Sequence, residues 1–521
     1  MNIREIDIKE FRKQMLQLRA DGMDFLREIA GMDWEEDGLG AIYILENSTT
    51  HDVVEVSVRT MNREKAQLPT VSDIWQIAEL YEREIYDFFG IEFNGHPDMR
   101  RLFLRNDWVG YPLRKDYNPS ETINPIRLYS ETEEDLKRDF EIKEDMLHAE
   151  MTEKLKMLHY DQYVINIGPQ HPATHGVLRF RLSVEGEVVK KIDIRCGYIH
   201  RGIEKLCESK TYPQTLAFTD RLDYLSAHQN RHAFCMCIEN GIGLEVTERV
   251  QYIRTIMDEL QRIDSHLLMF SCMAMDMGAI TSFIYGFRER EKILDIMEEV
   301  TGGRLIQNYN IIGGVQDDIT PGFAKKVKDF CNEQKRRLRE YYDLFVNNVI
   351  FCTRSKGVGV LSREDAISLG ATGCSGRASG WACDVRKRHP YAMYGKVEFK
   401  EVTHSDGDSY SRLLMRLEEI VESIRIIEQL IDNIPEGEYK TKTKPIIKLP
   451  EGVYFAAVEG SRGEFGVLIE SHGEKTPYRM KFRPMGLPLI AAAQKIMKGC
   501  KIADLITIGA SLDYVIPDID R

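Results

Sequence analysis

The sequence has no C-x-x-C pair, although it contains ten cysteines, at 196, 207, 235, 237, 272, 331, 352, 374, 383 and 500. Iron–sulfur and structural zinc sites draw on closely spaced thiolates. No self-contained metal site is therefore expected, and the cysteines read as scattered buried thiols of a reducing compartment. No run approaches the ~18 uninterrupted apolar residues of a membrane span. No Gly-rich nucleotide-binding loop is present. The opening MNIREIDIKEFRKQ has neither an apolar core nor a cleavage site, so a signal peptide is not expected and the chain should stay in the cytoplasm. Excess positive charge is also missing. The net charge is −13, which argues against nucleic-acid binding and gives no general attraction to anionic lipid. Membrane association must then run through protein partners.

What is present is an ordinary globular composition, 43% hydrophobic and 29% charged over 521 residues. This length suits two or three domains. Up to about residue 118 strands and helices mix. Ala41–Leu45 and Val53–Arg59 alternate around the polar turn 47–51 and predict a hairpin. The apolar spacing of Ile74–Phe88 predicts a helix capped by Ser72 or Asp73. A Gly/Pro/Asp-rich stretch over 89–117 reads as ordered loop. Residues 119–160 carry Pro119, Pro125 and, between Glu131 and Lys156, ten acidic against five basic side chains; they read as a charged linker. Beyond it, strands are expected at Tyr163–Ile167, Val177–Val184 and Val188–Ile194. Long helical periodicity follows over Val250–Gly302, Phe323–Asn347 and Tyr410–Asn433, then a β-rich element at Gly452–Arg483 and a helix near Leu487–Lys498. The methionines at 269, 273, 275 and 277 read as core packing. The fold class is α+β: a small α/β domain (1–118), a linker (119–160) and a mainly helical domain with β elements (161–521).

Three segments could carry chemistry. In Gly168-Pro169-Gln170-His171-Pro172-Ala173-Thr174-His175-Gly176, Pro172 and Gly176 turn a histidine pair into a loop feature rather than a helix face. Each histidine is either a proton donor near neutral pH or a turn residue bonded to backbone. In Asp220-Arg221-Leu222-Asp223-Tyr224-Leu225-Ser226, Tyr224 offers a phenol that both donates and accepts, unless the segment is only a salt-bridged helix start. Asp276 stands alone in the apolar stretch Leu267–Ile280, so it needs a partner, and a histidine would suit.

These segments, with GYIHRGIEKL (197–206), MDMGA (275–279), FRERE (287–291), SRGEFGV (461–467) and the final DIDR (518–521), resemble the D-type, 49-kDa subunit of respiratory complex I, the proton-pumping NADH–quinone oxidoreductase. The stretch YEREIYDFFGI (81–91), Gly95-His96-Pro97-Asp98, Arg100-Arg101 and the run from Asp107-Trp108 to Pro112-Leu113-Arg114-Lys115-Asp116 resemble the C-type, 30-kDa subunit. The chain thus looks like a C–D fusion.

The resemblance implies a fold of the [NiFe]-hydrogenase large-subunit type. The four nickel thiolates of that enzyme would fall on Asp223, Ser226, Val515 and Asp518, and none is cysteine here. It further implies a quinone site. Tyr224 and His175 would meet the two quinone carbonyls and Asp276 would pair with His175. His171, Asp513, Val515, Asp518 and Arg521 would line the cavity, with Arg201 and Arg221 near a terminal [4Fe–4S] cluster. That cluster would lie in the neighbouring B-type subunit, NAD at a distant subunit, and the ferredoxin-like I-type and membrane H-type subunits would be further partners. The expected place is the cytoplasmic side of the inner membrane. The implied function is quinone reduction coupled to proton pumping; a ferredoxin-fed or hydrogenase-type membrane complex is the alternative. One departure stands out. Many relatives carry histidine where this chain has Ile306, which implies a cluster of lower, less pH-dependent potential suited to menaquinone.

Overall fold

The computed structural model describes residues 1, 3–118, 162–170 and 176–521. The linker and both histidines of the turn, His171 and His175, lie outside the described residues.

The first part is built on a four-stranded sheet. Its strands run in the order Arg4–Glu5, Val53–Thr60, Leu39–Glu46, Phe25–Asp33, the first pair parallel and the others antiparallel. The expected hairpin is its centre, since Leu39–Glu46 pairs with Val53–Thr60 across the polar turn. Strand Phe25–Asp33 is buried at all nine positions, so it has no solvent face. Helix Ala78–Phe89 covers one side, where Gly31 lets the Phe89 ring approach. On the other, Ala30, Met32, Ile42 and Ile44 pack with Leu468 of the C-terminal β element.

The helix differs from the expected one at its start. It begins at Ala78, with neither Ser72 nor Asp73 capping it. Asp73 instead pairs with Arg12. Glu82, buried in the helix, accepts from Thr70 Oγ1 at 2.5 Å and from the Val71 amide at 2.7 Å, which holds the preceding turn. Asp87 works similarly on the loop that follows. Its Oδ2 accepts the amides of Leu102, Phe103 and Leu104, and its Oδ1 takes Arg101 at 2.9 Å. The charged residues of this helix thus satisfy loop amides that would otherwise be buried without partners.

The second part opens with an antiparallel sheet, Gln162–Ile167, Arg179–Glu185 and Val188–Arg195, as the alternation predicts. Its centre is helical. The 29-residue helix Glu248–Asp276 packs with Ile280–Thr301, Ser409–Leu430 and Ile502–Leu512. The periodicity read over Val250–Gly302 is therefore two helices. The chain turns at Met277–Ala279, with Gly278 at φ +85°, a conformation open to glycine. The methionine cluster divides accordingly: Met269 and Met273 are buried, whereas Met275 is exposed. Helix Phe323–Tyr341 ends in a π-turn at Tyr342–Val346. The helix Ala227–Ile242 is an addition to the sequence reading.

The C-terminal β element is an antiparallel sheet of Gly452–Gly460, Gly463–Ser471 and Arg479–Arg483. It joins the two parts of the chain. Lys481 forms a buried ion pair with Glu84 of the first part, and Arg521 pairs with Glu84 at 2.6 Å and with Glu204 at 2.9 Å. Arg388 pairs with both Glu46 and Glu464. Among the described residues no helix is long and apolar enough to cross a membrane.

Candidate functional site

Tyr224 sits in a tight turn between helices Tyr212–Thr219 and Ala227–Ile242. Two carboxylates fix that turn. Asp220 pairs with Arg231 at 3.0 Å and accepts the amide of Asn308. Asp223 accepts the Leu225 amide through Oδ1 and Arg462 Nη1 through Oδ2, at 3.0 and 2.9 Å. One turn into the next helix, Asn230 donates to the Asp223 carbonyl at 3.0 Å. With its neighbours buried and paired, Tyr224 is left half-buried. Among the described residues its hydroxyl has no hydrogen-bond partner.

Burial pushes the Tyr224 phenol above its ordinary pKa of 10. Arg462 pulls it down, while Asp223, Asp513 and the thiol of Cys272 push it up. The phenol therefore carries its proton at neutral pH. Burial drives Cys272 up to about 11, so it is a thiol rather than a thiolate; it shares Asp513 and Arg462 with the phenol and also feels Asp276 and Arg290. Asp276 is the last residue of its helix, one turn beyond Cys272 on the same face. It is half-buried, not enclosed in apolar surroundings as its sequence context suggests.

The C-terminal segment supplies the floor. Asp513 ends helix Ile502–Leu512 in the left-handed conformation, φ +60°, uncommon outside glycine. It accepts from Arg462 at 3.2 Å and lies 3.8 Å from Arg416. Val515 is buried. Asp518 accepts the Gly486 amide at 2.8 Å; burial and the nearby Asp223 push its carboxyl up to about 7. The Arg521 guanidinium pairs with Glu84 and Glu204, tying the tail to the first part of the chain, and its charge also acts on Asp518. Arg201 and Arg221 are exposed neighbours. Arg201 donates to the carbonyls of Arg221 and Pro517, both at 2.9 Å, and so links the Tyr224 turn to the tail.

The structure thus brings Tyr224, Asp276 and Asp513 into one neighbourhood, with Val515 and Asp518 in the tail beneath. Sequence reasoning missed two members of it. Cys272 was detectable from its i,i+4 spacing to Asp276. Arg462 lay unremarked inside SRGEFGV. A separate buried group, His266, Cys374 and Glu419, has ligand atoms within 4.8 Å of one another. Glu419 there already accepts Arg377 at 2.8 Å and Arg386 at 2.5 Å, and burial lowers His266 to about 4. An added cation would meet those guanidiniums at once, so this is an ion-pair core with a neutral histidine.

Two family models match the chain, one towards each end. Residues 276–521 match the family described as respiratory-chain NADH dehydrogenase, 49 Kd subunit, and residues 3–122 match its 30 Kd subunit. The C/D subunit of the NADH-quinone oxidoreductase of Phocaeicola vulgatus is 66% identical over 518 residues, covering 99% of each chain. That of Bacteroides thetaiotaomicron is 60% identical over 98% of this chain and 97% of its own. The D subunit of the NADH-quinone oxidoreductase of Bacillus cereus is 42% identical over 365 residues, 70% of this chain and all of its own. With identity of this extent, spanning both parts in one polypeptide, the chain belongs to the family of fused C/D subunits of the NADH-quinone oxidoreductase complex.

Proposed function

We propose that the Tyr224 turn, the Cys272–Asp276 helix end and the Asp513–Asp518 tail form the quinone-reduction site of the complex. The observation that carries this reading is the Tyr224 hydroxyl. It is a neutral phenol, unpartnered among the described residues, standing where three separate segments converge. Asp513 Oδ2, Asp518 Oδ1 and the Tyr514 hydroxyl are buried in the adjoining tail and make no hydrogen bond among the described residues, Asp513 Oδ2 meeting the Arg416 guanidinium only at 3.8 Å. Buried polar atoms left open in this way suit a polar ligand.

Reducing a quinone to a quinol takes two electrons and two protons. Tyr224 would hold one proton at a carbonyl oxygen. His175, outside the described residues, is the candidate for the other, with Asp276 as its counter-charge. The electrons would come from a [4Fe–4S] cluster in a B-type partner, docked on the face that exposes Arg201 and Arg221. Fixed cations there favour the reduced, more negative state of such a cluster. The hydrogenase-type alternative lacks support in the ligand set, since Asp223, Ser226, Val515 and Asp518 offer no thiolate. Within this reading, NADH is the distant donor, menaquinone the acceptor, the I-type and H-type subunits further neighbours, and the inner membrane the site of assembly. Charge change at Asp276 would start the coupling to proton pumping.

A photoreactive quinone analogue applied to membranes holding the complex tests the location. Cross-links should map to peptides spanning 221–226 and 272–276 and be suppressed by excess quinone. Labelling confined to other segments would refute it.

A further inference from the structure

Arg462 is the buried hub of this site. It lies in the two-residue turn Ser461–Arg462 that joins strands Gly452–Gly460 and Gly463–Ser471. The turn is clamped on both sides. Ser461 donates to Gln229 Oε1 from its amide and its hydroxyl, both at 3.1 Å. Opposite, Thr372 Oγ1 accepts the Glu464 amide at 2.9 Å, and a Cβ on Gly373 would lie 2.4 Å from the Gly463 Cα. From this fixed base the guanidinium reaches three segments. Nη1 donates to Asp223 Oδ2 at 2.9 Å and to Ser265 Oγ at 3.0 Å; Nη2 donates to Asp513 Oδ1 at 3.2 Å. These partners flank Tyr224, sit on the helix that ends at Asp276, and begin the C-terminal tail.

A guanidinium in full burial is a costly way to hold three segments together, because an apolar plug of similar volume is often as stable. Its charge does something a plug would not. Asp223 and Asp513 both bear on the phenol with negative charge, and the cation that touches both of them is Arg462.

We propose that Arg462 is a positioning residue for quinone reduction: it sets Asp223, Asp513 and the Asp276 helix around Tyr224 and stabilises the phenolate left when the proton departs. This rests on the reading of the Tyr224 turn as the quinone site. In the step concerned, the quinone takes two electrons from the partner's iron–sulfur cluster, one at a time. The phenolic O–H bond breaks and an O–H bond forms on one quinone oxygen. The other oxygen takes its proton from a second acid, and solvent reprotonates the phenolate. Arg462 touches neither quinone nor electrons. Its field acts on the phenolate from a fully buried position, where solvent screens a charge less than at the surface.

The test is a double-mutant cycle in membranes, with assembly verified on native gels. Arg462→Gln should lower kcat for quinone reduction about tenfold, the equivalent of one unit in the phenol pKa, with KM nearly unchanged. Arg462→Lys, which keeps the charge, should recover most of that rate. On the residual rate of Tyr224→Phe, adding Arg462→Gln should cost less than about twofold, since no phenolate remains to stabilise. Equal fold-losses in the two backgrounds, or an unchanged kcat in Arg462→Gln, overturn the proposal while leaving the quinone site standing. Should Arg462→Gln not assemble, Arg462→Lys carries the same test: a partial loss that vanishes beside Tyr224→Phe supports the proposal, and one that persists overturns it. Full activity in Tyr224→Phe alone removes the quinone site and this inference with it.

Discussion

Glu28→Gln should stabilise the chain, and increasingly so as the pH rises. Glu28 lies in the fully buried strand Phe25–Asp33. Its Oε1 accepts the Ile29 amide at 3.1 Å and faces Lys481 Nζ at 3.9 Å, while Oε2 has no partner among the described residues. Burial drives this carboxyl from 4.5 to about 7, against the pull of Lys481 and with a push from Glu84. An acid raised in this way holds its proton more tightly folded than unfolded. Its contribution to stability is complete below about 4.5 and is lost as the pH rises through about 7. The full displacement corresponds to roughly 3 kcal/mol. Glutamine keeps the shape and the acceptor for Ile29 but has no charge to gain. The variant's advantage in unfolding free energy should therefore grow by roughly 2–3 kcal/mol between pH 5 and pH 8. Urea unfolding of the purified chain at both pH values measures it, with Trp34 and Trp75 of the first part as fluorescent reporters. A difference that does not change with pH, or that is larger at pH 5, refutes the reasoning.

Other perturbations probe the remaining joints. Lys481→Met strands Glu28, Glu84 and Glu204 in a buried cluster short of one cation, and should cost about 3–5 kcal/mol; an unchanged urea midpoint would contradict it. Gly373→Ala places a Cβ 2.4 Å from the Gly463 Cα at a residue with φ +65°, so the Arg462 hairpin must shift. A loss of roughly 1–3 kcal/mol is expected in the same assay, and full stability would show that the hairpin is not clamped. On the proposed function, with Ile306 offering no titrating side chain, the terminal cluster proposed for the B-type partner should show a midpoint that varies little with pH. A slope near 60 mV per pH unit in a redox titration, the value for one electron coupled to one proton, would contradict this.

The sequence discloses local structure best where one physical effect dominates. Alternation alone places the hairpin Leu39–Glu46/Val53–Thr60, because both strands feed one sheet. The helix at Ala78 starts later than its apolar stripe suggests. Asp73 is drawn to Arg12, and the turn before the helix is held by Glu82 from within it, both tertiary effects. Helix Ala227–Ile242 escapes a periodicity search because its buried face is polar. His228 and His232 share the carboxylate of Asp258 at 2.6 and 2.7 Å, and Gln229 donates to the Asp258 carbonyl at 3.0 Å. At the site, Tyr224 and Asp276 are singled out by residue type. Arg462 is not, since its partner Asp223 is 239 positions away and only the folded hairpin brings them together. Arg521 shows the converse: residue type and motif single it out, but its ties to Glu84 and Glu204 are visible only in the fold.

The central claim is that the Tyr224 phenol delivers a proton to quinone. Its most direct test is the quinone reductase activity of membranes carrying Tyr224→Phe, with assembly of the complex checked on a native gel. The substitution removes one hydroxyl from a half-buried ring and leaves the Asp223–Arg462 pair in place. The account predicts an assembled complex whose activity collapses. An assembled complex with unchanged activity would contradict it.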